Sequence, residues 1–228
     1  MINIDNTNNL EETAVENTKQ LPDESSGIYV RGHIKIFDPE SKEVFIDKPN
    51  AIHYENFSQA LAWGIANKGE NFIYEMTFGN GGTSVDPTGI ITYLPTNTVG
   101  QNSNLYNPTY SKIVDDTSAA NINPINNKMT VTHIPGTVYT DILVSCLLDY
   151  GEPQGQALFD NSQDLNGLYV FDELGLRGRS TDGTVGLTST GLLLTHVVFM
   201  PVQKSLNRLI QIDYTVRIQT LTNLSSNG

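Results

Sequence analysis

Residues 209–219, LIQIDYTVRIQ, constrain this chain more than any other stretch, because every even position is apolar and every odd position after Leu209 is polar. Successive side chains of a β-strand point to opposite faces, so Ile210, Ile212, Tyr214, Val216 and Ile218 line one side. Gln211, Asp213, Thr215, Arg217 and Gln219 line the other. A strand of this kind packs one face on a core and turns the other to water or to a partner. That is how antiparallel sheets behave, whereas the strands of a parallel α/β protein are apolar on both faces.

The pattern recurs upstream. Residues 27–37, GIYVRGHIKIF, set Ile28, Val30, Ile34 and Ile36 against Tyr29, Arg31, His33 and Lys35, and the turn Asp38-Pro39-Glu40-Ser41 leads into KEVFID. Further strands are predicted at 72–78, 89–94, 111–115, 128–134, 139–148, 168–174 and 192–199. One helix is expected over residues 56–67, with Asn56 as its N-cap, Phe57, Leu61 and Ile65 on its buried stripe, Trp63 in the core, and Lys68-Gly69 as its stop. The expected fold is therefore an antiparallel, jelly-roll-like β-sandwich of about ten strands with one short helix.

Two regions stand outside this pattern. Residues 1–26 carry six carboxylates against Lys19 alone and few large apolar side chains, so they are read as an extended acidic arm that crosses to a neighbouring subunit, anchored by Ile2, Ile4, Leu10 and Val15. Residues 27–228 then form one domain. Residues 95–110 form a polar connection too long for a hairpin, and such loops commonly carry contacts or function. Tyr106 and Tyr110 within it, and Tyr93 just before it, are candidate interaction residues, since tyrosine brings large area with a polar tip.

Charge and motifs narrow the function. A formal net charge of −12 argues against a protein that grips nucleic acid phosphates. No stretch is long and apolar enough for a membrane span, and the amino-terminal residues do not read as a signal peptide. Cys146, alone in its type and set in the apolar run ILVSCLL, excludes an internal disulfide and reads as a buried thiol.

Residues 79–84, GNGGTS, resemble a phosphate-binding glycine loop but lack the following lysine, and they read instead as a strand-end turn needing positive φ. Residues 160–167 space oxygen ligands as calcium loops do, without the glycine and glutamate such loops require. His33, His53, His133 and His196 are scattered singly, and the adjacent pairs Asp172-Glu173 and Asp115-Asp116 point to opposite faces of a strand. No catalytic residue, metal or cofactor is expected.

The order of elements suggests a family. NAIHYEN (50–56) is followed by FIYEMTFGNGGT (72–83), YSKIV (110–114), FDELGL (171–176), LLTHVVFMPVQK (193–204) and the closing LIQIDYTVRI. This resembles a broad group of tailed-bacteriophage virion structural proteins. The resemblance implies a non-enzymatic, oligomeric adaptor in the neck, tail or baseplate of a virion, contacting copies of itself and other virion proteins but neither nucleic acid nor membrane. A capsid decoration protein and a carbohydrate-binding β-sandwich module are the alternatives, with an acid hydrolase more remote.

Overall fold

The computed structural model describes residues 26–69, 72–154 and 169–222. The acidic arm with Ile2, Ile4, Leu10 and Val15, and the calcium-like residues 160–167, lie outside the described residues.

The chain is mainly β and antiparallel. Among the described residues eleven strands run in order as β1 (Ser26–Phe37), β2 (Val44–Ile52), β3 (Ile73–Gly79), β4 (Thr83–Val85), β5 (Ile91–Tyr93), β6 (Pro108–Ile113), β7 (Lys128–His133), β8 (Tyr139–Leu148), β9 (Tyr169–Gly178), β10 (Thr195–Lys204) and β11 (Ile210–Thr222). The one α-helix among the described residues, α1 (Tyr54–Ile65), follows β2. Nine strands form a single sheet in the order β6-β3-β9-β10-β2-β1-β11-β8-β7, and β4 with β5 makes a separate hairpin.

The sheet curls into two facing layers. Lys112 on the edge strand β6 donates to the Leu147 carbonyl on β8 at 2.7 Å, although β6 and β8 lie near opposite ends of the strand order. Ile34, Ile36, Val144, Ile212 and Tyr214 from one layer meet Phe78, Phe171, Leu174 and Phe199 from the other in one buried core. Burying such side chains contributes about 1.5–3 kcal/mol each. The corner between the layers is narrow, since β10 pairs with β2 only at Thr195↔Ile52 and His196↔Ala51.

The C-terminal strand has the register its alternation predicts. Ile210, Ile212, Tyr214 and Val216 are buried, Ile218 packs against the core's rim, and Asp213 and Arg217 face outward. Arg217 lies opposite Asp141 on β8 and takes both its carboxylate oxygens at 2.6 Å. β8 keeps its expected bounds, while β9 continues past Leu174 to Gly178.

The helix differs from its expected form in two ways. It begins at Tyr54 with His53 as N-cap, whose ring Nδ1 accepts from the Asn56 amide at 3.2 Å. Asn56 therefore lies inside the first turn, fully buried, and its side chain donates to the carbonyls of Leu193 (2.9 Å) and Gln101 (3.2 Å). Burial also falls away along the helix: Phe57 is buried, Leu61 half-buried, and Ile65 is 76% exposed. Trp63 is exposed as well, so neither it nor Ile65 is a core residue. The helix caps the open end of the curled sheet by its first turn, and its last turns overhang solvent.

Candidate functional site

Beneath residues 94–107 lies a web of buried charge. Strand β9 is buried along nearly its whole length, yet it contains Asp172, Glu173 and Arg177. Glu173 accepts from the amides of Gly81 (3.1 Å), Tyr106 (3.0 Å) and Asn107 (2.8 Å) and from His196 Nε2 (3.0 Å). Burial alone would raise its pKa, but these donors outweigh that cost and hold the carboxyl below its ordinary value.

Asp172 accepts from the Gly82 and Thr83 amides at 2.9 Å and from the Thr83 hydroxyl. Here desolvation wins, and its pKa is raised. The two carboxylates leave their strand on opposite sides, as expected for neighbours, but both grip the same glycine-rich segment.

The GNGGTS turn therefore does bind anions through its backbone, and the anions are the protein's own. None of Gly79, Gly81 and Gly82 has a positive φ, which corrects the expected reason for these glycines. Close approach is the cause. A Cβ on Gly79 would stand 2.5 Å from Glu173 Oε1 and 2.6 Å from the Asn107 carbonyl, and one on Gly82 would stand 2.9 Å from Val198.

The long polar loop is tied down by the same web. His196 Nδ1 accepts from the Asn97 amide at 2.8 Å, and the His53 ring meets the Gly100 carbonyl at 3.0 Å. Asn104 bonds to Arg177, which also faces Glu75 at 3.5 Å, while Glu75 accepts from the Gly186 amide at 2.9 Å. Leu105 is buried. These ionisable side chains act as internal caps for backbone that no strand satisfies. The histidines are strand and helix-entry residues, as their isolation in the sequence indicates. Among the described residues no group of three or more His, Cys, Asp or Glu could hold a metal ion.

The tyrosines separate. Tyr93 is exposed on the β4–β5 hairpin, opposite Thr83. Tyr106 is partly exposed, and its hydroxyl donates to the Pro95 carbonyl at 2.7 Å, closing the loop on itself. Tyr110 packs against Phe78 and Tyr169, with its pKa raised by burial, and belongs to the core's aromatic cluster.

The surface that sequence reasoning missed surrounds α1. On one side of the helix, Leu61, Phe72, Met129, Val131 and Ile218 line an apolar hollow of about 240 Å³. On the other, Ile28, Val30, Tyr54, Leu61 and Ile65 line a second of about 430 Å³. Val131, at 67% exposed, and Ile65 stand in solvent beside them. Leu61 takes part in both hollows, so they form one apolar belt around the overhanging helix. The signal was in the sequence, as apolar residues at helical spacing, but spacing alone cannot tell a face on the core from a face left uncovered.

Comparison with known proteins found no family model, no curated protein and no solved structure that matches the chain.

Proposed function

We propose that this chain is a non-catalytic structural subunit of a tailed-bacteriophage virion, an oligomeric adaptor in the neck, tail or baseplate that assembles with copies of itself and with other virion proteins. The observation that carries this reading is the exposed apolar belt around α1, formed by Leu61, Ile65, Phe72 and Val131. Contiguous apolar surface of this kind is costly to leave in water and is typical of faces covered in an assembly. Catalytic chemistry is not needed to explain the buried carboxylates, because Asp172 and Glu173 are engaged by backbone amides. The likeness of the sequence to virion proteins supplies the setting.

The test is twofold. Light scattering on the purified chain should give a defined oligomer, and electron microscopy of intact particles carrying a tagged copy should show density at the neck, tail or baseplate. Density over the capsid shell would favour the decoration role. A chain that stays monomeric at all concentrations and is absent from particles would exclude the proposal.

A further inference from the structure

Strand β1 is only partly paired. Its whole length pairs with β11, but β2 covers it only over Gly32–Phe37 and then turns away to reach β10. From Ser26 to Arg31 the edge facing β2 therefore has no strand beside it among the described residues. An open strand edge offers unpaired N–H and C=O groups to any extended segment that fits.

The surroundings of this edge are two-sided. Tyr29, Arg31 and His33 face a groove of about 770 Å³ shared with Asn50, Tyr54 and Arg217. Ile28 and Val30 face the apolar hollow of about 430 Å³ beside α1, and Val30 and Tyr54 line both spaces. Arg31 lies directly opposite Arg217, and Arg217 already takes both oxygens of Asp141. Among the described residues Arg31 has no hydrogen bond or ion pair of its own. Arg31 shares the field of Asp141 with Arg217, so two arginines face one carboxylate, and in a chain of net charge −12 that marks a place for an added carboxylate.

We propose that this slot receives the N-terminal segment of a second copy of the chain, added as an extended strand along Ser26–Arg31 of β1. Residues 1–25 carry six carboxylates and one lysine, which matches the Arg31 side of the slot. Ile2-Asn3-Ile4-Asp5 alternates apolar and polar residues with the period a strand needs, so its isoleucines enter the hollow beside α1 while Asp5 faces Arg31. Twenty-five residues span up to about 85 Å when extended, enough to reach a neighbour. This inference rests on the oligomeric reading above.

The experiment uses the full chain with a photo-crosslinking phenylalanine in place of the exposed Tyr29, prepared as an equal mixture of ¹⁴N and ¹⁵N protein. Mass spectrometry should find residue 29 joined to peptides from residues 1–25, with mixed-isotope pairs among them, and Arg31→Glu should reduce that yield at least tenfold at low salt. An oligomer whose cross-links lie elsewhere, or join only residues of one isotope, overturns this assignment while leaving the oligomeric reading intact. A monomer overturns both.

Discussion

The His196 ring and the Glu173 carboxylate meet at 3.0 Å, each wholly withdrawn from solvent, at the point where β9, β10 and the long polar loop converge. Glu173 is the hub, since it also receives the three amides of Gly81, Tyr106 and Asn107. Glu173→Gln replaces one acceptor oxygen with a donor aimed at those amides. The change should cost about 3 kcal/mol in urea unfolding and make residues 94–107 sensitive to protease under native conditions.

The two neighbouring carboxylates should respond to pH in opposite senses. Glu173 has its pKa lowered, so its contribution is present above the ordinary glutamate range and is lost as pH falls through the folded value. Asp172 has its pKa raised, so its ionisation opposes folding as pH climbs from the ordinary value of 3.8. Denaturation across pH 3–7 should therefore show Asp172→Asn flattening the curve in one direction and Glu173→Gln in the other.

Lys204 is fully buried beside Lys112, Glu152 and Asp149, and desolvation brings its pKa down from 10.5 to about 8. Between those values the unfolded chain binds a proton that the folded chain does not, so stability should rise with pH from about 8 toward 10. Lys204→Met should abolish that rise; an unchanged slope would show that another group is responsible.

Glycine substitutions should separate close approach from open space. Gly79→Ala drives a methyl into Glu173 and the Asn107 carbonyl and should cost about 2 kcal/mol or more. Gly64, in α1 with nothing near its absent Cβ, should gain about 0.5–1 kcal/mol as alanine.

Leu61 and Ile65 provide the matching test of the apolar belt. A helix residue in the core would lose 2–5 kcal/mol on truncation to alanine, but half-buried Leu61 should lose only about 1 kcal/mol. Ile65→Asp should leave unfolding within about 0.5 kcal/mol of the parent while weakening self-association in sedimentation.

What the sequence made legible follows from what a local pattern can encode. The strand at 210–222 was readable because period-two alternation over so many residues has only one packing solution, and β8 because a long apolar run bounded by turns reads the same way. The end of β9 was not, because Gly175 and Arg177 look like loop residues until Glu75, 102 positions away, is placed beside them. The helix start was missed for a similar reason: Asn56 is a favourable cap by type, but its amide side chain was drawn inward by Leu193 and Gln101, leaving the cap to His53. Periodicity gave the helix its stripe and could not say how far along it the sheet would reach.

The pairing of β1 with β11 joins the beginning and the end of the described chain near the centre of the sheet, Ser26 against Thr222. Until β11 is in place, β1 has only a short contact with β2, and β8 with β7 is not joined to the rest of its layer. Closing so distant a pair costs loop entropy before any packing returns it. The refolding rate of this protein should thus be governed by a late, long-range closure, with early species exposing β1 as an unprotected edge during the wait.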